Sequence, residues 1–195
     1  LFDCLARGAK NTLAVGAAAT SIGIIVGVVT LTGVGFRLGY VVIQTAGDIG
    51  GFFLNFLPFN YFTLQDLTLF FSLILIAISC IFMGTGVPTT ATYIILVAVA
   101  APALTQLQIE PIVSHFFVFY YGVLADITPP VALAAYAAAG IAGSNPFTTG
   151  NTAFRLGIAK ALVPFVFVYS PSLLLVAQGF NFYDFFVTLI SAMIG

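Results

Sequence analysis

One carboxylate lies in a stretch of this chain that is otherwise nearly free of charge. Asp126 follows an apolar run and is itself followed by Thr128, Pro129 and Pro130. A charged side chain within a membrane segment is costly and by default indicates a functional site. The two prolines cannot both continue the preceding helix, and they push residues 127 and 128 towards extended backbone. The alternative is an aspartate at a water interface that caps the next helix.

A second interruption, "GTGVPTT", separates two apolar runs at residues 84–90. Glycine adopts backbone angles that other residues resist, and proline lacks an N–H and fits the first turn of a new helix. Hydroxyl oxygens and carbonyls freed by unwinding suit a hard cation such as Na⁺, while the N-terminus of the next helix suits a carboxylate. The alternative is a proline kink that neighbouring helices repair. The candidate residues here are Gly84, Gly86, Pro88, Thr89, Thr90 and Thr92.

The elements that carry these residues must be membrane helices. Hydrophobic residues make up 61% of the chain and charged residues only 6%, whereas an ordinary soluble domain has about 25% charged residues. Unpaired backbone groups are so costly in hydrocarbon that only helical bundles and closed barrels span a membrane. The long apolar stretches lack the ten-residue alternation of a barrel strand. We therefore predict an all-α integral membrane protein with a single membrane domain over residues 1–195.

The two interruptions divide the middle of the chain into short apolar arms. An arm of about 15 residues covers about 22 Å, against a hydrocarbon core of about 30 Å. Two such arms joined at a tip would form a re-entrant hairpin, and two collinear arms would form a discontinuous helix. The arms lie at 67–83 and 91–107 around the first interruption, and at 111–127 and 131–142 around the second. Short apolar segments interrupted by glycine and proline are a sequence indicator of a transporter's binding site.

Further helices are predicted before and after this central region, in residues 1–60 and 144–195. Residues 1–60 predict leading transmembrane helices, namely a span at residues 13–34 and a tilted or broken span at residues 40–59, interrupted by "TAGDIGG". Residues 144–195 predict an interfacial polar segment with Arg155 and Lys160, then helices at residues 161–177 and 182–194. Because the chain begins with Leu1 and stops within an apolar run, we expect it to be part of a longer protein.

Other residues narrow the function further. The net charge of −1 argues against a nucleic-acid surface. Cys4 and Cys80 do not have the spacing of a metal-binding or redox motif, and we predict that both are small packing residues. His115 has no nearby carboxylate, which favours packing and hydrogen bonding over a proton relay. The five basic residues lie in three separate places, so the positive-inside rule gives no orientation.

Three stretches resemble one family when they are taken together: "GTGVPTTATYIILVAVAAPAL", "SHFFVFYYGVLADITPPVALAAYAAAGIAGSNPFTTG" and "AFRLGIAKALVPFVFVYSPSLLL". They are similar to the large membrane subunit of tripartite ATP-independent periplasmic (TRAP) transporters, and most of all to fused permeases that work with TAXI-type receptors. The resemblance implies the C-terminal second repeat of an elevator-type permease. In that repeat, residues 64–108 would form a re-entrant hairpin with "GTGVPTT" at its tip, and residues 111–143 would form a discontinuous helix that is broken opposite it at "DITPP". Its implied site residues are those of both interruptions, and Na⁺ would use Gly84, Thr85, Thr89 and Thr128.

The resemblance also implies a function and partners. It implies a Na⁺-coupled symporter in a bacterial or archaeal cytoplasmic (inner) membrane, importing a dicarboxylate or other organic acid. The partners would be an extracytoplasmic solute-binding protein, a small permease subunit or fused domain, the remaining first repeat and the lipid bilayer. No cofactor is expected beyond Na⁺ as the coupling ion, and the chain shows no Walker A pattern.

Three alternatives remain open at this point. Another elevator-type carboxylate transporter is the first, because hairpin tips of this kind are shared more widely than the motif. A channel or membrane anchor is the second. An intramembrane enzyme is disfavoured, since Asp48 and Asp126 are the only plausible aspartyl pair and no G-x-S-x-G-like motif accompanies His115.

Overall fold

The computed structural model describes residues 2–56, 62–175 and 180–194, and these residues form helices without any strand. The prediction of an all-α protein is confirmed. The α-helices are α1 (Phe2–Thr32), α2 (Val34–Phe56), α3 (Leu64–Gly84), α4 (Thr89–Gln106), α5 (Pro111–Ala125), α6 (Leu133–Ala142), α7 (Pro146–Gly157), α8 (Val163–Tyr169) and α9 (Phe182–Ile194). Short 3-10 helices cover Ile158–Leu162, between α7 and α8, and Pro171–Leu173.

Within the described residues, three helical stretches are long and apolar enough to cross a membrane. They are α3, α4 and the run Pro146–Tyr169, which joins α7, the 3-10 turn and α8. Helices α1 and α2 meet at a 65° bend and give a fourth candidate span if the pair counts as one. Gly33 forms this bend with a φ of +66°, a left-handed conformation that glycine adopts without steric cost.

Helix α2 passes without a break through "TAGDIGG", so the predicted interruption there is wrong. The small residues serve packing instead. A Cβ on Gly50 would lie 3.2 Å from Cβ of Leu67 on α3, and one on Gly39 would lie 2.9 Å from Cα of Ala103 on α4. Small residues allow membrane helices to approach closely, which explains why α2 needs glycine without being broken by it. Residues 57–59 of the predicted span lie outside the described residues.

Two other predicted bounds differ from the structure. The first helix was predicted at residues 13–34 and in fact covers Phe2–Thr32. The predicted helix at residues 161–177 is also wrong, because α8 ends at Tyr169 and a 3-10 turn follows at Pro171–Leu173; residues 176–177 lie outside the described residues. The polar stretch before residue 161 is helical and continuous with α8, and α9 has the predicted bounds.

The core lies between α3, α4 and α5. Its fully buried side chains include Leu73 of α3, Leu96 and Leu104 of α4, and Phe117 and Val118 of α5. Helix α2 covers one side of this group by packing against α3 and α4. Burying such large apolar side chains closely fixes α3, α4 and α5 as one packed unit.

The run from α7 to α8 packs along the two halves of the interrupted helix α5–α6. In the α6 half, a Cβ on Gly150 would lie 2.9 Å from Cε1 of Tyr136. In the α5 half, the Tyr121 hydroxyl donates to the Ala161 carbonyl at 2.6 Å, and the ring of Phe165 packs edge-on to that of Phe117. The run therefore packs against the helix on each side of the interruption, α5 and α6.

Candidate substrate and ion site

The first interruption is a four-residue turn between α3 and α4. Gly84 ends α3 and Thr89 begins α4. Gly86 has a φ of +80°, and the Val87 N–H donates to the Gly84 carbonyl at 3.4 Å. Pro88 is the N-cap residue of α4 and offers no side-chain hydrogen bond to it. The turn therefore brings the end of one helix and the open N-terminus of the next to one point.

The second interruption lies between α5, which ends at Ala125, and α6, which begins at Leu133. The chain folds back on itself here, since the Ala134 N–H donates to the Asp126 carbonyl at 3.1 Å. The Tyr136 hydroxyl donates to the Pro130 carbonyl at 2.6 Å. Ala132 has a φ of +34°, a region that residues with a Cβ rarely adopt. Partners from α6 thus satisfy part of the unwound backbone.

The two interruptions touch each other. The Thr89 hydroxyl donates to Oδ2 of Asp126 at 2.5 Å, across 37 residues of sequence. Gly84 lies against α5, because a Cβ added to it would lie 2.8 Å from Cβ of Ala125. A Cβ on Gly86 would lie 3.5 Å from Cγ1 of Val131. The hairpin turn is therefore seated directly on the break in the neighbouring helix.

The predicted site residues divide into three groups. Thr89, Asp126, Gly84 and Gly86 meet at the contact between the turns. The hydroxyl of Thr85 instead donates to the Phe82 carbonyl at 2.8 Å, and that of Thr128 donates to the Leu124 carbonyl at 2.7 Å. Each acceptor lies at the end of the helix that precedes the threonine. Of the rest, Pro88, Thr90 and Pro130 are exposed and Pro129 is half-buried.

Residues next to the two turns also support the site, and of these only Thr92 was singled out from the sequence. Thr92 is buried and its hydroxyl donates to the Val87 carbonyl at 3.0 Å, which ties α4 to the turn. Gly122 leaves room beside it, since a Cβ there would lie 3.4 Å from Cγ2 of Thr92. Thr92 stands one helical turn after Pro88, a position that the sequence alone can indicate. No local sequence pattern indicates that Ala125, Val131 and Tyr136 support the site.

His115 takes part in a different contact. Its Nδ1 lies 2.8 Å from the hydroxyl of Tyr93, which joins α4 to α5. The ring of Tyr93 also packs edge-on against that of Phe119. A hydrogen bond between two packed side chains agrees with the expectation that His115 packs and hydrogen-bonds.

The oxygen atoms at the interruptions set the chemistry of the site. Within the described residues, no three His, Cys, Asp or Glu side chains are grouped so that they could hold a metal ion. The predicted Na⁺ ligands are backbone and hydroxyl oxygens of Gly84, Thr85, Thr89 and Thr128, and this set stays a prediction. Oxygen ligands of this kind suit a hard cation, and Thr89 of this set donates a hydrogen bond to the Asp126 carboxylate.

The comparisons with known proteins give one family. The family model for the DctM component of tripartite ATP-independent periplasmic transporters matches residues 1–182, which include both interruptions and all of the predicted site residues. No curated protein and no solved structure matches the chain significantly. The chain therefore belongs to the DctM family and is a multi-pass membrane permease of a TRAP transporter, not an enzyme.

Proposed function

We propose that the protein is a Na⁺-coupled symporter that imports an organic acid delivered by an extracytoplasmic solute receptor. The observation that carries the proposal is the hydrogen bond from Thr89 to Asp126, which joins the two helix interruptions at their tips. Interrupted helices offer an ion and a substrate the backbone groups that a regular helix keeps for itself. The receptor is of the TAXI type, and the membrane is the cytoplasmic (inner) membrane of a bacterium or archaeon.

The site has a physical basis for coupling ion to solute. Two like charges do not share a poorly solvated site, so a substrate carboxylate is disfavoured beside Asp126 alone. A bound Na⁺ changes this, since a unit charge 4 Å from an opposite one gains about 4 kcal/mol at an effective dielectric constant of about 20. The N-terminus of α4 at Thr89 adds N–H groups that favour an anion. Ion and substrate thus each make the site more favourable for the other.

In the proposed transport step, the turn between α3 and α4 moves together with the break between α5 and α6. The turn and the break are packed against each other through Gly84 and Ala125, so they move as a unit. In the proposed cycle this unit slides against a fixed scaffold and carries the bound ion and acid across. The small permease subunit or fused domain and the first repeat of the permease complete the scaffold and the site.

The test is receptor-dependent uptake by the complete permease in proteoliposomes. Each candidate organic acid is supplied with its receptor, with an inward Na⁺ gradient, an inward K⁺ gradient or none. We expect uptake only when both receptor and Na⁺ gradient are present. Equal uptake in K⁺ would contradict Na⁺ coupling. A steady Na⁺ current without receptor or solute would instead identify a channel.

A further inference from the structure

The helical run Pro146–Tyr169, a candidate membrane span by its length and composition, carries two positive charges near its middle. Arg155 lies nine residues after Pro146, and Lys160 lies nine residues before Tyr169. At 1.5 Å per residue, each is at least about 13 Å along the helix from the nearer end. The run contains no aspartate or glutamate, so nothing within it balances these charges.

Lys160 lies at a cavity that is otherwise apolar or aromatic. The cavity has a volume of about 440 Å³ and lies between α5 and the middle of the run. Its walls come mainly from Phe116, Tyr120 and Val123 of α5 and from Val163 of α8. Lys160 itself is exposed, and in the part of the chain that the structure describes its ammonium group makes neither an ion pair nor a hydrogen bond.

At the middle of a membrane span, an unpaired ammonium group that faces lipid is energetically costly. Placing a lysine at the centre of a membrane helix costs about 2.5–3.5 kcal/mol even on the lowest scale, and such residues normally pair inside a protein. Asp126 is the carboxylate nearest in sequence to the cavity wall, through Ile127. Its Oδ2, however, is held by Thr89 on the α4 side of the site. The charge of Lys160 therefore requires a partner from elsewhere.

We propose that an apolar transmembrane helix from outside residues 1–195 packs across this cavity and places a carboxylate against Lys160. Two features favour a protein helix over lipid: the opposite charge that Lys160 needs, and a depth that anionic headgroups do not reach. The apolar walls accept a large aliphatic or aromatic side chain of the partner helix beside its carboxylate. Such a contact would attach the run, and with it the supported break at Asp126, to a neighbouring part of the permease.

Photo-cross-linking in the complete permease complex tests this inference. Benzoylphenylalanine replaces Val163, which lines the cavity, and in a matched control it replaces Ile141, an exposed residue of α6. We expect the Val163 probe to join a peptide of an apolar helix with an aspartate or glutamate within one turn of the cross-link. Adducts to lipid alone, to residues 1–195, or to a helix without a carboxylate would overturn the proposal.

The charge dependence of that cross-link separates an ion pair from simple proximity. Lys160→Met should lower the yield about tenfold or more, because it leaves the partner carboxylate buried and unpaired, whereas Lys160→Arg should keep it. Arg155→Met removes the same charge from the same run without changing the cavity and should leave the yield unchanged. Exchanging Lys160→Glu with a lysine at the mapped acid should restore the yield. An unchanged yield in Lys160→Met would refute the ion pair, whatever the uptake assays show about Na⁺.

Discussion

The Thr89 hydroxyl donates a hydrogen bond of 2.5 Å to Oδ2 of Asp126, and this contact joins two helix interruptions 37 residues apart. Thr89 is the first residue of α4, and Asp126 is the first residue after α5. A hydrogen bond to a charged acceptor is stronger than one between neutral groups. The pair therefore both holds the tips together and fixes where the carboxylate oxygen lies.

Thr89→Val removes the donor and keeps the shape of the side chain. The charged hydrogen bond it breaks is worth about 1.5–3 kcal/mol, so we expect the apparent Na⁺ affinity of solute uptake to fall about tenfold or more. Asp126→Asn, which removes the charge, should reduce Na⁺-dependent uptake further. Both are measured as initial rates of uptake against Na⁺ concentration.

Two controls make this prediction specific. Thr89→Ser keeps the hydroxyl and should retain most of the affinity. Thr45→Val removes a hydroxyl that only returns to the Val41 carbonyl of its own helix, and it should have no effect on Na⁺ dependence. Normal coupling in both Thr89→Val and Asp126→Asn would show that this pair is not part of the site.

Gly84→Ala tests the close approach of the hairpin to α5. The added Cβ would lie 2.8 Å from Cβ of Ala125 and 2.9 Å from Cγ2 of Thr92, both closer than packed carbons allow. Overpacking of this kind costs about 1–3 kcal/mol, so we expect a lower melting temperature of the purified permease. Gly140→Ala is the control, since its Cβ would meet nothing within 4 Å. Equal melting temperatures of the two variants would argue against a tight contact.

Gly86→Ala separates backbone strain from the contact between the turns. Gly86 and Gly143 both have positive φ, +80° and +66°, so alanine at either position is strained by about 1 kcal/mol. Only Gly86 faces the other interruption, through Val131 at 3.5 Å. Both variants should therefore lose similar stability, whereas solute uptake should fall only in Gly86→Ala. A similar loss of uptake in Gly143→Ala would assign the effect to strain alone.

Tyr136→Phe removes the hydroxyl that donates to the Pro130 carbonyl at 2.6 Å. Losing one such hydrogen bond costs about 0.5–1.5 kcal/mol, and the freed carbonyl lies in the break beside Asp126. We expect a modest loss of thermal stability together with a changed KM for the solute. Tyr40→Phe, at an exposed tyrosine of α2, provides the matched control and should change neither. An unchanged KM and melting temperature in Tyr136→Phe would show that this hydroxyl does not support the break.

The positions of both helix interruptions could be predicted from local chemistry. Consecutive prolines at 129 and 130, and glycines combined with a proline in "GTGVPTT", disfavour a continuous helix. Helix α3 ends and α4 begins at the first interruption, and α5 ends and α6 begins at the second. The same local rule fails at "TAGDIGG", where α2 continues. Glycine in a membrane helix serves close packing as readily as it serves a break, and only the neighbouring helix decides which.

The helical state of the segment that follows the site was not predicted. The polar residues around 144–160 indicate a segment at the membrane interface, which stays a prediction, and in the structure Pro146–Tyr169 forms one helical run. The run is held by contacts from distant residues, such as Tyr121 to Ala161 and Tyr136 against Gly150. These contacts have no counterpart in the local pattern, and so the central position of Lys160 emerged only from the packing.

The sequence by itself determined the membrane class, the helical fold, the two breaks and the family. The first three follow from composition and from residues that act on their own backbone, whereas the family follows from the resemblance of three longer stretches and from the match over residues 1–182. Tertiary structure alone decided that Thr89 reaches Asp126, whereas the hydroxyls of Thr85 and Thr128 turn back to their own helices. The reason is physical: a hydroxyl has several acceptors within reach along the chain. Which of them it uses depends on how closely Gly84 and Ala125 allow α3 and α5 to pack.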